Sequence, residues 1–239
     1  MMARQPMATD RTPASGTGRP PALAGPRAPR PGSPDSARVA RFAASMAMDL
    51  DRWRDGTGYD LDAIADASEA ERAAMARLVR AHQPRDWRDV EALCALDGPQ
   101  SRAALRQAAR GADLPAGLAV LRHAPGLLDD AARARLLARA LRTAEFYGGL
   151  TQALDQAAAF HPKAVVDALW YGVRRRDGAV AVHCAALLMF IHGLAAEPFD
   201  WSLRPYFLRF HTADLRERRV LLRALRQRIV NAAAQRPAI

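Results

Sequence analysis

The amino-acid sequence predicts an all-α protein built from antiparallel helices, on three observations. First, the chain is rich in Ala, Leu and Arg, which are strong helix formers, whereas aromatics make up only 6% and β-branched residues are few. Second, apolar residues recur every three or four positions between short Asp-, Pro- and Gly-containing breaks, and no segment sustains strand alternation. Third, Gly178 to Ala196 (GAVAVHCAALLMFIHGLAA) runs nineteen residues without Asp, Glu, Lys or Arg. On a helical wheel Val180, Cys184, Leu187, Leu188, Ile191 and Leu194 form one stripe, and Ala181, Val182, Ala185, Ala186 and Met189 make the opposite side apolar too. A helix that is apolar all round must be buried. The length would allow a membrane span. Two histidines, a terminal glycine, a high alanine content and the lack of a second such stretch point instead to a core helix with the others arranged around it.

The 239 residues suit one helical domain, residues 36–239, preceded by a tail, residues 1–35. The tail holds eight of the sixteen prolines, with Gly, Ser, Thr and Arg between them, a composition that predicts disorder. Formal charge is +10, unevenly spread. Residues 1–35 carry five arginines against Asp10 and Asp35, residues 36–203 carry 21 basic and 21 acidic side chains, and residues 204–239 carry nine arginines against Asp214 and Glu217. The basicity therefore belongs to the two ends. Lys163 is the only lysine, a bias read first as GC-rich codon usage and second as chemistry. Cys94 and Cys184, each within an apolar helical pattern, read as two buried thiols of a reducing compartment. No apolar run follows the N-terminal arginines, so a cytoplasmic protein without a secretory signal is expected.

Taken in order, Ser36 caps a first helix carrying Val39, Phe42, Ala43, Met46, Leu50 and Trp53, ended by Gly56 and Gly58. Tyr59-Asp60-Leu61 opens a short turn with Ile64, and Ser68 with Glu71 makes a capping box for a helix through Met75, Leu78 and Val79 to His82. After Pro84 the punctuation becomes regular. Asp86 starts a helix with Trp87, Val90, Leu93 and Cys94. Asp97-Gly98-Pro99 ends it and starts another through Leu105 to Arg110, with Gly111 as its C-terminal cap. Asp113 and Pro115 begin a helix with Leu118 and Leu121 that stops at Pro125-Gly126. Asp129-Asp130 opens one with Leu136, Leu137 and Leu141. Thr151 opens the next, with Leu154 and Phe160, and Pro162 another with Val165, Val166, Leu169, Trp170 and Val173. Asp177-Gly178 leads into the central helix. The last helix begins near Thr212, with Leu215, Leu222, Leu225 and Ile229 as its core stripe.

Short helices joined by turns of two to five residues pack antiparallel to their neighbours. Alternate helix starts fall at 86, 114, 150 and 178, giving steps of 28, 36 and 28 residues. That spacing, with the phrases DWRDVEALCALDGPQSRAALRQAARGAD and RDGAVAVHCAALLMF, resembles HEAT-like helical repeats of the short bacterial type over residues 85–195. The resemblance implies an α-solenoid of about nine or ten helices with a concave face for partners. The irregular period and the aromatic segment after Ala196 depart from the family's pattern.

Candidate chemistry reduces to capping. His82, His123, His161 and His192 fall at helix C-termini, where an imidazole suits the last carbonyls and the dipole. His183 and His192 are nine apart, about 900° of helical rotation, so they point to opposite sides and cannot share a metal. Asp129-Asp130 and Asp60/Asp62 lie where helix N-termini favour acids. No phosphate-binding glycine loop, nucleophile elbow or HExxH motif occurs. No catalytic residue, cofactor or metal is expected.

Two segments suggest binding. In EPFDWSLRPYFLRF, residues 197–210, five of the fifteen aromatics fall within twelve residues, beside Arg204 and Arg209. Phe199, Phe207 and Phe210 are expected to point inward, and Trp201, Arg204, Tyr206 and Arg209 to be more exposed. On the last helix Arg216, Arg219, Arg223 and Arg226 form a stripe at three-four spacing. The function expected is a non-catalytic binding module or adaptor, possible members being immunity-type proteins, whose partner is another protein with an acidic surface. Nucleic acid would be held weakly and non-specifically, and no membrane is involved. The alternative is a nucleic-acid-binding HEAT-like protein of the alkylpurine DNA glycosylase type. That group pairs two Trp shortly before a catalytic Asp, whereas here Trp170-Tyr171 is followed by Gly172-Val173-Arg174.

Overall fold

A computed structural model describes residues 32–34, 36–82 and 86–235. Pro84 and residues 1–31 and 35 of the expected tail lie outside them. Among the described residues there are thirteen α-helices and four short 3-10 turns, and no strand. The expected nine or ten helices become thirteen because three are single-turn elements.

Ser36 caps α1 (Ala37–Ser45), its Oγ accepting from Val39 N, and Val39 and Phe42 are buried. The helix expected to reach Trp53 instead breaks after Ser45. Asp49 accepts from Arg52 N at 2.8 Å and starts α2 (Leu50–Arg54), while Arg52 turns back to donate to Ser45 O and Ala47 O. An Asx cap competes with helix continuation and here prevails. Leu50 and Trp53 are consequently 74% and 64% exposed and lie outside the core. After α3 (Asp62–Ala65), the expected capping box forms at the head of α4 (Glu69–Ala81). Glu71 Oε2 accepts from Ser68 N at 2.8 Å, and its Oε1 accepts from Ser36 Oγ at 2.5 Å. Ser68 Oγ donates to Gly32 O at 2.9 Å, so residues just before Ser36 bond to the body.

The next boundaries follow the local signals. Asp86 caps α5 (Trp87–Leu96), Asp97 turns left-handed, and Gly98-Pro99 opens α6 (Pro99–Arg110), which Gly111 ends. Asp113 and Asp129 cap α7 (Leu114–His123) and α8 (Asp130–Thr143). α9 (Leu150–Ala159) starts one residue before Thr151, with Gly149 as its cap. α10 (Lys163–Arg175) follows Pro162.

Asp177 caps α11 (Gly178–Ile191), the central helix. Its residues Val180, Ala181, Val182, Cys184, Ala185, Ala186, Leu187, Leu188 and Met189 are buried around the full circumference. It is shorter than the nineteen-residue run. Gly193, at φ 70°, turns the chain; Leu194 N bonds Met189 O and Gly193 N bonds Phe190 O, a Schellman closure. Among the described residues no helix is long and apolar enough to cross a membrane. α10 lies so close to α11 that a Cβ on Gly172 would sit 2.4 Å from Cys184 Sγ. Cys184 is buried as expected, which pushes its thiol up to about 12, whereas Cys94 is only half-buried.

After three turns come α12 (Arg204–Leu208) and α13 (Leu215–Gln235). The core stripe of α13 is shifted from the expected one. Leu215 is exposed, and Arg218 and Leu221 are buried beside Leu222, Leu225 and Ile229. Neighbours are sequential: α5, α7, α9 and α11 touch in series, as do α8, α10 and α13, and one connected core runs from Val39 to Ile229.

Arginines close the helix ends. The last carbonyls of a helix lack intrahelical donors and carry its negative pole. Arg72 donates to Ile64 O, Ala95 O and Leu96 O, Arg139 to Gly111 O, and Arg176 to Leu141 O and Ala144 O. Arg218 donates to Arg176 O and Thr212 O at 2.7 Å each.

Hydrogen bonds from Ser36 and Ser68 hold the Glu71 carboxyl down to about 2 from its ordinary 4.5. Its contribution to stability is therefore complete above pH 4.5 and is lost as pH falls towards 2. Glu71→Gln should melt lower than wild type at pH 7, and the gap should close over that window in thermal melts at stepped pH. In a double-mutant cycle, Gly172→Ala should be destabilising with Cys184 present and near neutral in a Cys184→Ala background. Denaturant unfolding should give a coupling of about 1–3 kcal/mol.

Candidate binding surface

The segment after α11 is held by aromatic packing. Phe207 and Phe210 are fully buried against the central helix. Phe199 bridges outward, its ring 5.5 Å from Phe207, 5.0 Å from His183 and 5.7 Å from Trp201. His183 is enclosed on its other side by Phe146 at 5.2 Å, and burial lowers its pKa, favouring the neutral ring. Asp200 caps the following turn, accepting from Ser202 Oγ at 2.5 Å and Ser202 N at 2.9 Å, and from Ala196 N at 3.2 Å. These bonds, that from Ser202 Oγ foremost, hold its carboxyl below the usual range.

On this base Trp201 stands 69% exposed with the Arg204 guanidinium 5.4 Å from its ring centre. Arg209 is exposed. Tyr206 is half-buried, packed on Phe210 at 5.6 Å with Arg228 4.2 Å from its ring centre, and its hydroxyl oxygen is buried without a hydrogen-bond partner among the described residues. Of the four aromatic and basic residues singled out in this segment, Trp201 and Arg204 thus form one exposed pair, while Tyr206 is largely part of the packing.

Arg216, Arg219, Arg223 and Arg226 are all exposed on α13. α13 runs antiparallel to α10, since Arg218 reaches the end of α10 and Arg226 stacks over Trp170 at 5.3 Å, further back along it. Between the two helices lies a groove of about 340 Å³ lined by Arg174, Arg175, Leu215, Arg218, Arg219, Leu222, Arg223 and Arg226. Arg216 is on the stripe but does not line it. Sequence reasoning missed Arg174 and Arg175; the Arg-Arg-Arg run before Asp177 was a signal of charge, but not of which helix would face it. A second groove, of about 450 Å³ between α6 and α8, is lined by Arg106, Arg110, Arg135 and Arg139 together with Asp129.

The histidines divide. His161 Nδ1 meets Ala157 O at 3.2 Å, at a helix end as expected. His82 is at the C-terminus of α4, yet its Nδ1 meets both oxygens of buried Asp89, at 2.9 and 3.0 Å, rather than a helix-end carbonyl. Tyr59 OH donates to the same carboxylate at 3.1 Å, and burial and that negative charge raise the phenol's pKa. Asp129 and Asp60 accept from Ala132 N and Ala63 N, as capping requires. Among the described residues no three His, Cys, Asp or Glu side chains gather as a metal site.

Compared with known protein families, curated proteins and solved structures, the chain has no match.

The buried arginine in the groove and the exposed one beside it differ in what they hold. Arg218→Ala removes the donors to two helix-end carbonyls and should cost about 2–4 kcal/mol in urea unfolding. Arg216→Ala, two residues away and exposed, should stay within about 0.5 kcal/mol of wild type.

Proposed function

We propose that this protein is a non-catalytic binding module, a HEAT-like α-solenoid that engages another protein through its C-terminal end, as adaptors and immunity-type proteins do. The series of contacts along α5, α7, α9 and α11 supports the stacked-pair part of this reading. The observation that carries the binding part is the exposed Trp201–Arg204 stack, standing on half-buried Phe199, which packs on the buried Phe207 of the core. Trp and Arg dominate interface hot spots, and a rigid base lowers the entropy lost on docking. Arg209 on the same segment, with Tyr206, and the exposed Arg216, Arg219, Arg223 and Arg226 of α13 make this C-terminal end positive, so the partner presents an acidic surface. No cofactor enters this reading.

The second reading, a nucleic-acid protein of the alkylpurine DNA glycosylase type, draws on the two arginine-lined grooves. Against it, no carboxylate lines the α10/α13 groove to act on a base, and Trp170 lies beneath Arg226.

A photo-crosslinking residue at exposed position 205, beside the intact Trp201–Arg204 pair, should capture one protein partner in the native host, read by mass spectrometry. With that partner purified, Trp201→Ala and Arg204→Gln should each weaken binding by about tenfold or more, and added salt should weaken it only moderately. Trp53→Ala, at an exposed aromatic on α2, should change nothing. Unchanged affinity in both surface variants, or excision of modified bases from DNA by the purified protein, would overturn the proposal.

A further inference from the structure

The groove between α10 and α13 concentrates unneutralised charge. Six of its eight lining residues are arginines and none is acidic. The nine ion pairs among the described residues involve none of these six, although arginines elsewhere on the body are paired, as in Arg41–Asp60, Arg88–Asp86, Arg102–Asp97 and Arg176–Glu145. Arg219, Arg223 and Arg226 follow at i, i+4 and i+7 on one face of α13, spacings at which like charges destabilise a helix. Arg174 and Arg175 face them across the groove from the last turn of α10. Arg218 forms the inner wall. It is only 8% exposed, its two terminal nitrogens are committed to Arg176 O and Thr212 O, and its buried Nε has no partner. The wall is thus a fixed positive charge that the fold itself does not balance.

From this geometry we infer that the α10/α13 groove is a binding site for a small oligophosphate, the phosphate chain of a nucleotide or of inorganic polyphosphate. Guanidinium groups bind phosphate oxygens in bidentate pairs, and two facing rows offer donors on both sides of a chain of phosphates. The groove's volume of about 340 Å³ falls at the small end of the range for small-ligand sites, roughly 300–1,000 Å³. Its basic run is short: Arg219 to Arg226 spans seven residues of helix, about 10 Å, enough for a few linked phosphates. Leu215 and Leu222 supply an apolar lining between the charges. The site extends the binding-module reading without resting on it, because the ligand is a small anion and neither Trp201 nor Arg204 lines the groove.

Isothermal titration of the full chain with inorganic triphosphate, in about 150 mM salt so that diffuse charge is screened, tests the site. Saturable one-to-one binding is expected. Arg174→Gln combined with Arg175→Gln should weaken it at least about tenfold. Arg216→Gln, on the same basic stripe but outside the groove, should leave it within about twofold. All three positions are exposed, so the melting temperatures should match wild type. A nucleoside triphosphate binding tighter than inorganic triphosphate would assign a nucleotide as the source, and equal binding the phosphate chain alone. Absence of triphosphate binding would overturn the inference. So would an equal loss in Arg216→Gln and in the groove pair, or duplex DNA binding more tightly than triphosphate with the same loss in Arg216→Gln, since each describes a diffuse basic surface.

Discussion

Arginine at the C-terminal end of a neighbouring helix is the interaction on which the arrangement of this protein depends. A buried helix end exposes carbonyls that nothing within the helix can satisfy, and leaving them unpaired costs about 1–3 kcal/mol each. Here Arg72, Arg139, Arg176 and Arg218 reach across 24, 28, 35 and 42 residues of sequence to supply the donors. The links also define neighbours. Arg139 ties α8 to the end of α6, Arg176 ties the end of α10 to that of α8, and Arg218 ties α13 to the end of α10. A lysine could bring the charge but not the planar fork that spans two carbonyls. The near-exclusive use of arginine therefore has a structural use at these sites, whatever its codon origin.

The central helix imposes the complementary constraint. With apolar side chains around its whole circumference, α11 has to be covered on every side, and α9, α10, α12 and the turn at 209–211 do so. Cover on the α10 side is close because Gly172 has no side chain, which lets Cys184 Sγ fill that space. Further cover comes from Phe207 and Phe210, and the rest of the aromatic segment stays nearer the surface. The exposed Trp201 is thus a consequence of sealing the core, as its neighbours in sequence are spent on burial.

Charge shows why totals mislead. Residues 36–203 are neutral in sum, yet their arginines are not evenly neutralised in space. Many of the acids sit at helix N-termini as caps, where the backbone consumes them. Arg174 and Arg175 in the last turn of α10 find no such partner, and with Arg218, Arg219, Arg223 and Arg226 of α13 they line one groove.

By itself the sequence determined what depends on contacts within one turn of helix. Ser36, Ser68, Asp86, Asp113, Asp129 and Asp177 cap the helices they were expected to cap, and Gly193 marks the end of α11 more faithfully than hydrophobicity does. An all-helical chain around a buried central helix was likewise legible, because composition and periodicity are properties of the chain alone. Tertiary structure decided the rest. Whether Leu215 or Arg218 faces inward on α13 depends on where α10 ends and which carbonyls it presents, and Arg174 and Arg175 become groove residues only once α13 lies beside them. The break between α1 and α2 likewise came from Asp49 and Arg52 bonding to backbone, in competition with a continuous apolar pattern. A long, flexible side chain such as arginine suits either solvent or a buried carbonyl, and only the position of the next helix selects between them.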